Sequence, residues 1–149
     1  MSGLSIRSAA FAQDGMIPKR YTCDGADVNP PLSFGGVPEK TAALALIVDD
    51  PDAPAKTWAH WVVWNIPATT AEIPEDSVPP GALQGTNDFG KRKYGGPCPP
   101  SGTHRYFFKL YALDAPLSLP AGAAKAQVEQ EIGAHLLGRA ELVGRYRRT

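Results

Sequence analysis

The chain of 149 residues carries 15 basic and 15 acidic side chains, so its formal charge at pH 7 is zero. This balance argues against a polyanionic partner such as nucleic acid or an anionic membrane. At this length roughly 70% of the unfolded surface can be buried in one core, which predicts a single domain over residues 1–149. There is no run of about 18 apolar residues and no signal-peptide pattern, so we predict a cytoplasmic protein without stable membrane anchoring.

Short apolar runs predict a mostly β protein. The 15 glycines and 15 prolines are spread along the chain and separate these runs, as is typical of all-β domains. The runs around Leu46 and Val62 are apolar on both faces, which suits central strands that are covered on both sides. In chain order, the predicted strands are Leu4 to Ser8, Leu32 to Phe34, Ala43 to Asp49, His60 to Ile66, His104 to Leu113 and Glu141 to Arg147.

One helix is predicted near the C-terminus, over residues 123–137. Its apolar stripe repeats every four residues and consists of Ala124, Val128, Ile132 and Leu136. Gly138 suits the position just past the helix end, where a positive φ costs glycine little. Residues 69–95 show little periodicity, and we interpret them as an ordered loop that is functional or mobile.

The strand that begins at His104 has polar residues where a core strand is expected to be apolar. Side chains of a strand alternate between its two faces. His104 and Tyr106 therefore share one face with Phe108 and Leu110. This pattern predicts two polar groups at the end of an apolar row.

Two other predicted strands also carry polar side chains at one end. His60 opens its strand, and strict alternation places it on the face of Val62 and Trp64. Asp50 follows the third strand, on the face of Val48. If these strands belong to one sheet system, the polar residues meet at the same rim.

A proline cluster at residues 96–102 stiffens the segment before His104. Pro97, Pro99 and Pro100 have no backbone N–H, so Cys98 is the one main-chain donor held between prolines. Pro99 also favours an extended conformation at Cys98. Such a pre-set amide suits the binding of an anion, although a rigid connector without a ligand is equally consistent with the residues alone.

The two cysteines allow at most one intramolecular disulfide. Because a cytoplasmic compartment disfavours disulfides, we expect Cys23 and Cys98 to be reduced. The chain has no Cys-x-x-Cys pair, so a zinc ribbon or a thioredoxin-like motif has no support.

Six fragments in order resemble the phosphatidylethanolamine-binding protein family, in its bacterial Raf-kinase-inhibitor-like branch. Together they span nearly the whole chain, which makes the resemblance specific. They are Tyr21-Thr22-Cys23-Asp24-Gly25, Asn29-Pro30-Pro31-Leu32, Asp50-Pro51-Asp52-Ala53-Pro54, His60-Trp61-Val62-Val63-Trp64-Asn65-Ile66, Gly96-Pro97-Cys98-Pro99-Pro100-Ser101-Gly102-Thr103-His104-Arg105-Tyr106 and Leu142-Val143-Gly144-Arg145-Tyr146.

The resemblance implies a β-sandwich with a C-terminal helix, a small anion pocket at one end and a homodimeric state. It assigns the pocket to Asp50, His60, Cys98, His104 and Tyr106, with the rim shaped by Asp52, Pro54, Pro99 and Pro100. A carboxylate behind either histidine would favour its charged form, and Asp50 and Asp52 are the candidates.

The leading hypothesis is a non-enzymatic binding or regulatory protein for phosphate-containing or other anionic ligands, with inhibition of a protein partner as a cellular role. One alternative is a hydrolase that uses His60 or His104 as a general base. Another is a protein-interaction module with a vestigial pocket. No nucleophile motif, phosphate-loop fingerprint or diagnostic metal spacing occurs, so we predict no enzyme activity and no cofactor.

Overall fold

The structure is a computed structural model that describes residues 3–148. Over these residues it is mostly β, as the sequence predicts, with two antiparallel sheets and one α-helix. The strands are β1 (Ser5–Arg7), β2 (Leu32–Gly35), β3 (Ala43–Asp50), β4 (Trp58–Pro67), β5 (Glu72–Ile73), β6 (Leu83–Gln84), β7 (Thr103–Leu113) and β8 (Leu136–Arg147). A short 3-10 helix lies at Lys19–Tyr21, and α1 spans Lys125–His135. Within the described part of the chain, no helix is long and apolar enough to span a membrane.

Two apolar layers hold the fold together. The small sheet, in the order β1-β2-β5, packs on one face of the large sheet, whose order is β6-β4-β3-β7-β8. Ile6, Leu46 and Phe108 belong to the core between the sheets. On the other face of the large sheet, Ile47 packs in a second core with Val128 of α1. Because both faces are covered, every residue of β3 is buried.

The alternation predicted for β7 is confirmed. His104, Tyr106, Phe108 and Leu110 are buried, whereas their neighbours along the strand are exposed or half-buried. Both β3 and β8 pair with β7 along most of its length, which fixes its register. The polar end of this buried row therefore lies at the end of the sandwich where β7 begins and β3 ends.

The predicted face of His60 is wrong because β4 contains a β-bulge at this position. Val48 of β3 pairs with Trp61, but the next residue, Asp49, pairs with Ala59. His60 is therefore the extra residue, and two residues of β4 oppose one of β3. The bulge turns the His60 ring away from Val62 and toward the inter-sheet side, where it contacts Tyr106.

The predicted helix is present but shorter than expected. It ends at His135, and β8 begins at once with Leu136, whose side chain is exposed. Gly138 is therefore not a helix cap, since it pairs with Ala112 inside the sheet. Val128 and Ile132, in the middle of the predicted stripe, are buried as expected.

The segment 69–95 is largely loop, and it contains the two short strands β5 and β6. Its last part follows the start of β4. The Asp88 N–H donates to the Ala59 carbonyl, and the Gly95 N–H donates to the His60 carbonyl, both at 2.9 Å. These bonds place Phe89 beside the polar end of the sandwich.

Candidate functional site

A cavity of about 280 Å³ lies where β3 ends and β4 and β7 begin. It contains eight of the nine residues predicted for the site, the exception being Asp52. Its lining consists of Asp50, Ala53, Pro54, Trp58, His60, Phe89, Cys98, Pro99, Pro100, His104 and Tyr106. Apolar side chains therefore form most of the wall, and a few polar groups converge within it.

His104 and Asp50 form the buried polar pair of the cavity. The Nδ1 atom of His104 lies 2.6 Å from Oδ2 of Asp50, and both side chains are more than nine-tenths buried. The other carboxylate oxygen accepts the Asp52 N–H at 2.8 Å. A carboxylate only accepts, so Nδ1 of His104 carries a proton, and Nε2 is left for the cavity.

His60 is held by a main-chain carbonyl and not by a carboxylate. Its Nδ1 atom lies 2.7 Å from the Gly95 oxygen, so Nδ1 is the donor and Nε2 is the remaining ring nitrogen. Burial lowers the pKa of His60, and the Gly95 and Gly96 backbone and the charge of Asp50 only partly oppose this effect. The two histidines thus differ in their partners, a carboxylate for His104 and a main-chain carbonyl for His60, and burial favours the neutral ring at His60.

The hydroxyl of Tyr106 is buried without a hydrogen-bond partner. Tyr106 is 1% exposed, and its ring contacts His60 edge-on and stacks against His104. Burial raises the pKa of the phenol far above its ordinary value, so the hydroxyl stays protonated. A buried O–H without a partner is costly, and a ligand oxygen in the cavity would satisfy it.

Asp52 lies outside the lining and does not support a histidine. Its carboxylate accepts two hydrogen bonds from the Arg105 guanidinium, at 2.9 and 2.8 Å, and one from the Arg105 N–H at 2.8 Å. These hydrogen bonds lower the pKa of Asp52 to about 2. The role that the structure gives Asp52 is to tie the loop after β3 to the start of β7. Among residues 3–148, no three His, Cys, Asp or Glu side chains are placed to hold one metal ion.

The proline-stiffened wall is fastened to the segment that follows the 3-10 helix. Cys98 forms a disulfide with Cys23, with a Cα–Cα distance of 5.5 Å, so the expectation of reduced cysteines is wrong. The fold brings the two cysteines together although they are 75 positions apart in the sequence. The expectation rested on the cellular compartment alone, which says nothing about this proximity. The Cys23 N–H also donates to the Pro97 carbonyl, and the Gly96 N–H donates to the Asp27 carboxylate.

Trp58, Phe89 and Ala53 line the cavity but were not predicted from the sequence. Trp58 contacts Phe89 edge-on, and both rings form part of the cavity wall. Phe89 lies in the long loop 69–95. The expectation that this loop is functional or mobile was the one sequence signal that could have pointed to Phe89 as a site residue. Its ring is 42% exposed and also contacts His60 edge-on, so it forms one lip of the cavity.

Comparison with known proteins agrees with this architecture. The family model described as phosphatidylethanolamine-binding protein matches residues 7–147. This chain belongs to that family. A UPF0098 protein of Methanothermobacter thermautotrophicus is 51% identical over 150 residues, which cover 97% of this chain and 99% of the relative. A UPF0098 protein of Aquifex aeolicus is 47% identical over 97% of this chain and 89% of its own length.

Two solved structures share the fold over the full chain. The phosphatidylethanolamine-binding protein homolog CT736 of Chlamydia trachomatis superposes with a TM-score of 0.95 at 38% identity, and both chains are covered completely. Escherichia coli YbcL, described as a member of the mammalian family, has a TM-score of 0.94 at 34% identity and covers 99% of this chain. The family resemblance and the mostly β fold that the sequence predicts are therefore confirmed.

Proposed function

We propose that this protein is a non-enzymatic binding protein whose cavity takes a phosphate-containing or other anionic group. The observation that carries the proposal is the buried Tyr106 hydroxyl, which has no hydrogen-bond partner. The Tyr106 ring contacts the rings of both His104 and His60. A phosphoryl oxygen is the kind of acceptor that this hydroxyl lacks. Ligand binding in general is consistent with membership of the family.

The polar groups of the cavity suit a small charged head and not a long chain. His104, whose Nδ1 atom is bonded to Asp50, leaves its Nε2 atom for the ligand. His60 supplies Nε2, which accepts a proton or a hydrogen bond from a ligand hydroxyl, amine or protonated phosphate. The wall of proline and aromatic side chains lowers the local dielectric constant around these groups, which strengthens each polar contact.

The cellular role that we propose is regulation, including inhibition, of a protein partner by the occupied or empty cavity. We further propose a homodimer, on the family resemblance. The sequence predicts a cytoplasmic location, but the disulfide between Cys23 and Cys98 favours an oxidising compartment instead. We do not propose Raf kinase as the partner, although the family branch is named after its inhibition, because no sequence feature points to that kinase.

A hydrolase is the second candidate, and the Asp50–His104 pair is the observation that favours it. Such a pair can act as a general base when a nucleophile or a bound water lies within reach. The cavity's thiol is not available for this role, since Cys98 is bonded to Cys23. Ser101 is exposed and lies outside the lining.

Calorimetry with dimethyl phosphate and methyl phosphate tests the binding proposal. We expect binding to the wild type and a clear loss with Tyr106→Phe, which removes the hydroxyl alone. A matched control is Tyr111→Phe, whose hydroxyl belongs to the same strand but not to the cavity. If neither phosphate binds, or if both variants bind like wild type, the proposal fails. Turnover of phosphate esters that is lost with His104→Gln would favour the hydrolase instead.

A further inference from the structure

A second cavity of about 200 Å³ lies next to the first, beyond the lip formed by Phe89. Phe89 and Cys98 line both cavities, so the two are separated by these side chains. The second lining consists of Cys23, Asp27, Asn87, Phe89, Lys91, Lys93, Tyr94, Gly95, Gly96 and Cys98.

The two cavities differ in their positive charge. Within residues 3–148, the lining of the main cavity includes no lysine or arginine, and its basic side chains are the two histidines. Lys91 and Lys93 line the second cavity, and both side chains are exposed. In the described part of the chain neither has a carboxylate within ion-pair distance. The two lysines that have no carboxylate partner therefore lie on the side of Phe89 that faces away from the main cavity.

Other charges near the mouth are already compensated. The Lys56 ammonium lies 3.1 Å from Asp88, and Arg105 is paired with Asp52. Asp27 is the one acid in the second lining, and its Oδ1 atom accepts the Gly96 N–H at 2.7 Å. That donor is a neutral amide, so Asp27 keeps its negative charge, and the two lysines leave the second lining with an excess of one positive charge.

The loop that carries these lysines is organised before any ligand binds. Asn87 is 3% exposed, and its amide nitrogen donates to the carbonyls of His60 and Lys93 at 3.2 and 2.7 Å. Its amide oxygen accepts the N–H groups of Phe89 and Lys91, both at 3.0 Å. One buried side chain thus links the bulge at His60 to the loop. A loop held in this way loses little conformational freedom on binding.

Arg92, between the two lysines, has a different environment. Its guanidinium packs so closely on Gly122 that a β-carbon there would lie 2.6 Å from it. Arg92 does not line either cavity. The loop therefore presents Lys91 and Lys93 to the second cavity, whereas Arg92 packs on Gly122. Substitution of Arg92 is thus a matched control for substitution of the two lysines.

We infer that the second cavity is a subsite for a second anionic group, so that the ligand carries two such groups and spans the Phe89 lip. This inference rests on the proposed function, because the first group occupies the cavity of His104 and Tyr106. The ligand class is a bisphosphate or a phosphate that bears a second anion such as a carboxylate. A mono-anionic head leaves Lys91 and Lys93 without a partner.

The test compares methyl phosphate with a series of bisphosphates of ethane-, propane- and butanediol by calorimetry. We expect at least one bisphosphate to bind roughly tenfold more tightly than methyl phosphate, as two partly exposed ion pairs would give. Lys91→Gln/Lys93→Gln should abolish this preference and leave methyl phosphate binding unchanged. Arg92→Gln should retain the preference.

Each outcome decides between the two proposals. If methyl phosphate binds but no bisphosphate is preferred, or the preference survives loss of both lysines, the second subsite is wrong and the first proposal stands. If the Arg92 variant loses the preference as fully as the lysine variant, the effect is one of general charge and the subsite is also wrong. If no phosphate binds at all, both proposals fail together.

Discussion

The imidazole of His104 donates to the carboxylate of Asp50 across 2.6 Å, in a pair that is almost fully removed from water. Removing either partner leaves the other buried without its hydrogen bond, whereas removing both does not. The two residues come from β3 and β7, which are central neighbours in the large sheet. The pair therefore contributes both to the stability of the large sheet and to the polar surface of the cavity.

We expect Asp50→Ala to lower the free energy of unfolding by about 3 kcal/mol, because it leaves His104 without a buried partner. His104→Phe alone should also destabilise the protein, since Asp50 then lacks its partner. The double variant should lose clearly less than the sum of the two single losses. Urea unfolding of the four proteins measures this coupling, and strictly additive losses would contradict the pairing.

Binding of dimethyl phosphate should strengthen as the pH falls through the histidine range. This ligand keeps one negative charge throughout, so the change reports the protein. Burial lowers the pKa of His60, so the contribution of its cation should appear below the ordinary value of about 6.5. His60→Gln should flatten that part of the profile. An affinity that is constant from mildly acid to mildly alkaline pH would show that neither histidine binds the anion as a cation.

The ligand-free protein should lose stability as the pH falls below about 6.5, and His60 should account for part of this loss. The pKa of His60 is lower in the folded chain, so the unfolded chain takes up the proton first. The stability is therefore complete above the unfolded pKa and declines as the pH approaches the folded pKa. Thermal unfolding of wild type and His60→Gln, followed over the histidine range of roughly pH 5 to 8, measures how much of the pH dependence of stability is due to His60. Parallel curves would contradict the buried neutral ring.

Tyr106→Phe and Phe108→Ala should have opposite effects. The first removes a hydroxyl that has no hydrogen-bond partner, so the fold should be unchanged or slightly more stable while binding weakens. The second truncates a side chain that is 0% exposed and packs against Phe11, which typically costs about 3–5 kcal/mol. Melting curves and calorimetry on both variants are sufficient. An unfolded Tyr106→Phe protein beside a wild-type-like Phe108→Ala protein would refute the register of β7.

Cys23→Ser/Cys98→Ser should lower the free energy of unfolding by about 2–4 kcal/mol, because the disulfide closes a long loop in the unfolded chain. The same variant should weaken phosphate binding, since Cys98 is part of the cavity wall. Labelling of free thiols in the denatured, unreduced wild type provides the direct check. Two labelled thiols per chain would show that the cysteines are not paired.

The sequence alone predicts the class of the fold and most of its strands. It succeeds for β7 because period-2 alternation needs only local order, and nothing interrupts this strand between His104 and Leu110. The same reasoning places Asp50 on the face of Val48, where the structure has it. The helix is also recognised, since the buried residues Val128 and Ile132 keep its period.

His60 shows where local pattern is insufficient. Its sequence context fits a regular strand, but pairing of β4 with β3 leaves one residue over, and the bulge reverses its face. Similarly, β8 takes Leu136 and Gly138 from the predicted end of the helix because β7 offers them partners in the sheet. These outcomes depend on which strand lies alongside, which a single chain segment does not encode.

The sequence by itself determined the mostly β architecture, the family and the set of polar residues that surround the cavity. Only the tertiary structure decided how those residues are paired: Asp50 with His104, Asp52 with Arg105, His60 with Gly95 and Cys98 with Cys23. Each of these pairs joins positions at least 35 residues apart. Their distances and tautomers follow from the register of the sheets and from the packing of two loops, and not from the spacing of residues along the chain.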